Sequence, residues 1–397
     1  MTHVVTGEDF APDTAALAAV IFGVTAFAVA QGLTYPLISL VLEHRNVSPS
    51  LIGFNAGCFA AGLAVATFAV TWLSRKVRGD RLIVAGLIGC AVSLSTFATF
   101  DIFWVWCIAR FCLGFFVSLI FMLSEAWLNT ACPDRLRGRV SGLYGAGMCG
   151  GFAAGPLVIP IFGTEQGFAF ALLAVYVACV AFLTIILTRR ARTLPEQAAS
   201  GALFTFVRSA PMLICMVVAF AFADIAAISA MPVYFVRLGY SEAFAAISVT
   251  VLALPTALAQ PVVGWFLDKT SRFGVAICSG VLAGLSFIAI PFLQSQAAIL
   301  VMFGIMGAAS FSLYTCALTL LGERYAGDTL VAGSAAFALA YAVGSAAGSS
   351  SVGAVMDLYS PSAGPIAAGS VVLAFTAVLV ASVVRNRLRG RLYSSSN

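Results

Sequence analysis

Phe27-Ala28-Val29-Ala30-Gln31 and Phe220-Ala221-Phe222-Ala223-Asp224 stand 193 residues apart, each inside a long apolar run. The offset extends well beyond these segments. Ser48 matches Ser241, Trp72 matches Trp265 and Gly114 matches Gly307. Gly151 and Gly155 match Gly344 and Gly348 in the same register. A single offset kept across several pairs of runs marks two parallel halves, a transporter architecture with its site between the halves near the midplane.

Working outward, each run is long enough to cross a bilayer, which takes about 20 mostly apolar residues. Twelve stretches qualify, at 15–42, 50–73, 82–100, 103–131, 140–162, 167–188, 211–236, 243–267, 273–293, 297–321, 329–353 and 365–384. The short polar and apolar alternation of a membrane β-barrel is missing. The expected fold is an all-α membrane protein of 12 transmembrane helices in two six-helix pseudo-repeat halves. These halves are 1–188 and 211–397. They are joined by a cytoplasmic linker at 189–210 that contains Pro195, Glu196, Gln197 and Gly201.

Composition agrees. Hydrophobic residues make up 61% of the 397, and charged residues 9%, against about 25% in an ordinary soluble domain. Twenty-one basic and 16 acidic side chains cannot cover the surface of a soluble multidomain enzyme, and disorder needs the opposite composition. The basic residues are sorted by side. Arg75, Lys76, Arg78 and Arg81 follow the second span, and Arg135, Arg137 and Arg139 follow the fourth. Arg189, Arg190, Arg192 and Arg208 lie in the central loop. Lys269 and Arg272 follow the eighth span, Arg324 the tenth, and Arg385, Arg387, Arg389 and Arg391 lie in the tail. Together these are 18 of the 21, all on the side of the termini. Arg45 and Arg237 lie opposite, and Arg110 falls inside the fourth span. The positive-inside rule therefore places both termini in the cytoplasm.

Several classes drop out. No basic block with interleaved aromatics exists, so nucleic acid is not an expected partner. Ten cysteines form no CxxC pair and only His3 and His44 are present, so no metal site or cofactor is expected. Cys58, Cys90, Cys149, Cys179 and Cys278 sit in apolar runs as small hydrophobes. Glu8, Asp9 and Asp13 replace the basic region of a cleaved signal peptide. No nucleotide loop or catalytic triad pattern is found, so no enzyme is expected.

Over nearly its whole length the chain resembles the major facilitator superfamily. The second half carries that family's loop motif as Gly264-Trp265-Phe266-Leu267-Asp268-Lys269-Thr270-Ser271-Arg272. The first half departs from it, with Thr71 in the glycine place and Arg75 in the aspartate place, while Lys76 and Arg78 keep the basic character. Ala109-Arg110-Phe111-Cys112-Leu113-Gly114 resembles the buried-arginine motif. Gly147, Gly151 and Gly155-Pro156 resemble the motif associated with exporters, although Leu157-Val158-Ile159-Pro160 replaces its trailing glycines. Gly32-Leu33-Thr34-Tyr35-Pro36-Leu37, Glu125-Ala126-Trp127-Leu128 and Tyr341 with Gly344, Gly348, Met356 and Asp357 resemble the YcaD-like branch, which is poorly defined in substrate.

Charge inside the membrane supplies the candidate residues. Asp224 lies near the centre of the seventh span, where an ionised Asp costs about 2.5–3.5 kcal/mol on insertion scales. It either faces a wet cavity or is held neutral. Both states suit a proton carrier; the plainer alternative is an interhelical hydrogen bond. Its repeat mate Gln31 is a candidate substrate contact or a packing amide. The resemblance puts spans 1, 4, 7 and 10 around the cavity. Arg110, roughly 10 Å into its span, serves proton relay or anion recognition, or fixes span 1; the resemblance implies contacts to Gln31 and nearby backbone. Glu125, paired with Trp127, is a candidate gate or second proton site, or an interfacial carboxylate. Ser310, Ser312, Tyr314, Thr315 and Thr319 offer a polar face on span 10, with Ser312, Thr315 and Thr319 on one stripe. With Tyr35 they line a cavity, or they pack helices. The glycine ridge with Pro156 is read as the seam along which the halves rock. Asp268, Lys269 and Arg272 are gating residues by resemblance, or plain charge anchors.

The expected function is proton-coupled efflux (antiport) of small organic molecules by alternating access, by a monomer in the inner membrane whose partners are substrate, protons and lipid. A proton-linked importer of a nutrient or organic anion is the first alternative. A lipid flippase or a non-transporting sensor is the second.

Overall fold

The computed structural model describes residues 12–164, 167–195, 203–325 and 327–394. Among the described residues, twelve long helices follow one another: α1 Thr14–His44, α2 Pro49–Lys76, α3 Gly79–Thr99, α4 Phe103–Ala131, α5 Asp134–Ala154, α6 Phe168–Arg190, α7 Pro211–Ile225, α8 Glu242–Lys269, α9 Arg272–Ala289, α10 Gln296–Arg324, α11 Gly327–Leu358 and α12 Ala363–Ser394. Two of them are extended through irregular turns. After α5, a 3₁₀ turn at Gly155–Leu157 contains Pro156 and leads into Val158–Phe162. After α7, a π turn at Ala226–Ala230 leads into Met231–Arg237, with Pro232 near its start. Proline cannot donate the helical hydrogen bond, so such irregularities gather around it.

Among the described residues, eleven helices are long and apolar enough to cross a membrane. The expected eighth span, 243–267, lies within one continuous helix, α8, and no charged residue interrupts it. Large apolar side chains point outward in mid-helix, Ile108 at 65% and Phe182 at 67% exposure among them. A water-soluble surface rarely carries such a continuous belt; lipid accounts for it.

The 193-residue repeat is visible contact by contact. α1 packs on α4, α5 and α6, and α7 packs on α10, α11 and α12. α2–α4 is matched by α8–α10, and α3–α6 by α9–α12. Gly114 lies so close to the Phe59 carbonyl that a Cβ would collide with it, and Gly307 lies likewise against the Leu252 carbonyl. Both partners obey the same offset. The Ser48 hydroxyl caps α2 by accepting from the Leu51 N–H, and Ser241 caps α8 by accepting from Phe244. The turns before these caps each hold a left-handed residue, Asn46 at φ 57° and Gly239 at φ 86°. Asn and Gly are the residues that enter this region at least cost. Lys76 covers the Trp72 ring at 4.1 Å, and Lys269 covers Trp265 at 5.3 Å.

The face that holds the start of α1 is called here the terminal face, and the opposite one the far face. Polar contacts between the halves gather toward the far face. Arg237 donates to Glu43 at 2.8 Å, His44 meets Glu242 at 2.6 Å, and Thr164 donates to the same Glu242 at 2.8 Å. The Ser50 N–H and hydroxyl both donate to Asp357, at 2.9 and 2.5 Å, so a carboxylate from α11 caps α2. By the repeat, Thr164 is the counterpart of Asp357, so two related clasps close this face.

On the terminal face the start of the central segment is docked. Asp13 accepts from the Arg192 N–H at 2.6 Å, the Thr193 N–H at 2.8 Å and the Thr193 hydroxyl at 3.0 Å. It also caps α1 through Ala16. Trp127 donates its indole N–H to Thr193 at 3.1 Å. Residues 196–202 of the expected linker lie outside the described residues. Burial alone would push the Asp13 carboxyl up, but the hydrogen bonds from Thr193, Ala16 and Arg192 outweigh it and hold it below the usual range. A carboxyl lowered in this way stabilises the fold fully above its unfolded value of about 4, and the gain fades as pH falls through the folded value. Asp13→Asn is therefore expected to speed tryptic cleavage after Arg192 at neutral pH. An unchanged cleavage rate would show that the clasp contributes nothing.

Candidate functional site

Asp224 stands at the end of α7, directly before the π turn at Ala226–Ala230. Such turns insert one residue and re-aim the side chains around them. The Tyr341 hydroxyl on α11 donates to Asp224 Oδ2 at 3.0 Å. Ser345 lies one turn further along α11, beside Tyr341. From the other half, Tyr35 on α1 lies within electrostatic reach of both Asp224 and Arg110. Gln31, the repeat mate of Asp224, is close to the Tyr35 hydroxyl. That hydroxyl is buried and has no partner at hydrogen-bonding distance. A carboxylate, two phenols and an amide thus meet where the halves face each other.

Arg110 is present at this level but turned away. It is 1% exposed, and its guanidinium lies 4.4 Å from the Tyr35 ring centre and 5.4 Å from that of Phe59. One Nη donates to the Thr34 carbonyl at 3.1 Å, while Nε is unpartnered. The expected contact with α1 is found on its backbone, at the Thr34 carbonyl, and on the Tyr35 ring, and not at Gln31. Planar guanidinium stacks well on aromatic rings, and this explains the choice.

Glu125 lies on α4 nearer the terminal face and is exposed. It is within electrostatic reach of Tyr144 on α5 and Tyr314 on α10, one from each half. Trp127 does not join it in a gate. It is 0% exposed and committed to Thr193, because helix geometry turns residues two apart to different faces.

The span 10 stripe is largely satisfied within its own helix. Ser312 donates to the Ala308 carbonyl at 2.7 Å, Thr315 to Phe311 at 3.2 Å and Thr319 to Thr315 at 2.8 Å. Such back-bonding is the ordinary use of hydroxyls in mid-helix. Tyr314, beside them, reaches toward the opposite half. The glycine ridge also differs in place from the expected seam. Gly151 packs on Thr25 and Ala28, and Gly155 on Val29 and Leu33, all within α1 of the same half. Gly344 and Gly348 repeat this against Val218 and Phe222 of α7. Across the halves, α5 and the Gly155–Leu157 turn also lie against α8, where the Ala153 carbonyl accepts from Thr250 at 2.9 Å. Of the expected gating charges, Arg272 pairs with Glu323 at 2.7 Å and Lys269 covers Trp265, both inside one half. The Asp268 side chain lies outside the described residues.

The Major Facilitator Superfamily model matches residues 20–349 and again 213–391, two matches whose starts are 193 residues apart. The chain belongs to the Major Facilitator Superfamily. It is 25% identical to "Uncharacterized MFS-type transporter YfkF" of Bacillus subtilis over 329 residues, covering 80% of this chain and 83% of that one. It is also 25% identical to "Uncharacterized MFS-type transporter YcaD" of Escherichia coli over 354 residues, covering 85% and 88%. Solved structures share the fold. The nucleoside transporter NupG superposes with TM-score 0.75 at 14% identity, covering 92% of this chain and 98% of that one. A POT family transporter in complex with 5-aminolevulinic acid gives 0.78 at 11% identity, covering 95% and 98%. A bacterial homologue of the lysosomal transporter Spinster, inward-facing and unoccupied, gives 0.73 at 14% identity, covering 93% and 95%. The protein is an integral membrane transporter of this superfamily, a fold that handles small-molecule substrates.

The sequence reading missed Tyr341 as a site residue and Tyr144 altogether. Tyr341 was legible only as part of a motif, and only packing brings it to Asp224.

Proposed function

We propose that the protein is a proton-coupled exporter of small organic molecules working by alternating access. It lies in the inner membrane as a monomer with both termini cytoplasmic. The halves 1–188 and 211–397 rock about the linker 189–210. The observation that carries this reading is Asp224 held by Tyr341 between the halves. A carboxylate there trades its proton according to which side wets it. A proton on Asp224 removes the cost of burying charge when the halves close over it. The far-face clasps support a state closed on that side and open toward the cytoplasm. Arg110 is a positioning residue in this scheme, locking α1 through Thr34 and Tyr35.

The direction is tested in proteoliposomes carrying an imposed proton gradient. An exporter moves cargo opposite to the proton flow, so that inward protons drive cargo out. Cargo moving with the protons would establish the importing alternative, and movement indifferent to the gradient would remove the coupling.

A further inference from the structure

Phe27 on α1 and Phe121 on α4 form an edge-to-face pair with centroids 6.0 Å apart. Their repeat counterparts, Phe220 on α7 and Tyr314 on α10, form a second pair at 5.3 Å. Phe311 and Tyr341 extend this second pair, lying 5.4 and 5.8 Å from Phe220. Two aromatic clusters therefore stand at one level by the repeat, one in each half. Asp224 is one turn beyond Phe220 toward the far face. Glu125 is one turn beyond Phe121 toward the terminal face. At 1.5 Å per residue, the carboxylates bracket the aromatic level with about 12 Å between their own levels.

The polar inventory of this space is unbalanced. Glu125 is exposed, with a tyrosine from each half in electrostatic reach. One of these, Tyr144, is 9% exposed, and its hydroxyl is buried without a hydrogen-bond partner. Leu318, the repeat mate of Glu125, is 48% exposed, so the same position is open in the other half. Arg110 does not answer this charge, because its guanidinium is spent on Thr34, Tyr35 and Phe59. Arg139 stands nearer the terminal surface than Tyr144 and is exposed.

We propose that the halves enclose a cleft at this level that takes a lipophilic organic cation, its aromatic groups between the two ring clusters and its charge between Glu125 and Asp224. The proposal rests on the reading of the cleft as a transport path and adds the class of cargo. Ring faces attract cations electrostatically, most strongly where water is excluded. An aromatic cation also loses little on leaving water for this apolar slot, whereas a compact hydrated ion would lose much. The same cleft repels organic anions, since its own cation is withdrawn and its carboxylates are not.

The test compares two probes of nearly one shape and opposite charge, tetraphenylphosphonium and tetraphenylborate. Equilibrium binding to the full-length protein is measured in nanodiscs, with empty nanodiscs subtracted for partition into lipid. The phosphonium is expected to bind and the borate not. Glu125→Gln is expected to weaken the phosphonium by roughly tenfold or more, the scale of losing a desolvated charge contact. Adding Leu318→Glu to that variant is expected to restore binding, because the new carboxylate enters the same space from the other half. Phe220→Ala serves if Glu125→Gln does not fold, and is expected to weaken the phosphonium as well. Equal or tighter binding of the borate would overturn the proposal. So would a phosphonium affinity untouched by Glu125→Gln, or no specific binding to the wild type. The transport reading is scored separately, by hydrogen exchange in peptides around residues 43–50 and 353–358 at two pH values. A pH-dependent opening of these clasps without cation binding rejects the cargo class alone. Loss of both rejects the transport path itself.

Discussion

Asp224→Asn is expected to bring gradient-driven transport down to the level of protein-free liposomes, while exchange of cargo without a gradient persists. The two parts of this result have separate causes. Asn has the size of Asp and still offers a carbonyl to the Tyr341 hydroxyl, which now lies 3.0 Å from the carboxylate. The helix contacts around it are therefore kept. What is lost is the change of charge. A permanently neutral side chain pays no burial cost in either state, so the proton gradient has nothing to act on. An ionised Asp at this depth carries about 2.5–3.5 kcal/mol of cost, which the proton can switch on and off. Uptake of labelled cargo with and without an imposed gradient, on protein of verified melting temperature, decides it. Full gradient-driven uptake in the variant would remove Asp224 from the coupling, and a collapsed melting transition would reduce it to a structural residue.

Gly114→Ala and Gly307→Ala should each destabilise the protein by about 1–3 kcal/mol, the usual range for overpacking, and by similar amounts. The new Cβ in each would collide with a main-chain carbonyl, that of Phe59 or of Leu252. A backbone oxygen cannot swing aside as a side chain does, so α2 and α4, or α8 and α10, have to move apart. Gly142→Ala makes the contrast. A Cβ there meets nothing within 4 Å, and Ala is a better helix former than Gly by about 1 kcal/mol. Thermal unfolding in one detergent should therefore show two losses and one neutral or stabilising change. If all three glycines behave alike, close approach is not what holds these helices at their spacing.

The halves could be read from the sequence because packing within each half repeats. Gly114 and Gly307, or Ser48 and Ser241, keep their partners at one offset, so a one-dimensional comparison detects a three-dimensional contact. Asp224 and Arg110 stood out because charge is rare in an apolar run. Their partners were much harder to see. Thr34 meets Arg110 through its carbonyl, and any residue has a carbonyl. Tyr341 reaches Asp224 from 117 residues away, and no spacing rule connects α7 to α11. The hydroxyl stripe of α10 is hard to read for the opposite reason. Its Ser and Thr side chains look available in a list of polar residues, yet a helix offers each a carbonyl four residues back. The glycine ridge makes its closest approach to α1 of its own half while its Gly155–Leu157 end also lies against α8, because small-residue spacing predicts close approach without naming the helix that approaches.

The paired arrangement also has a consequence for how such a chain can change over generations. Positions that set helix spacing hold the same residue in both halves, Gly114 with Gly307 and Gly155 with Gly348. The charged positions of the site have parted company, Gln31 from Asp224 and Glu125 from Leu318. A duplicated frame lets one copy of a site keep a task while the other is released from it. New cargo preferences can therefore be tried in one half without rewriting the scaffold that both halves share.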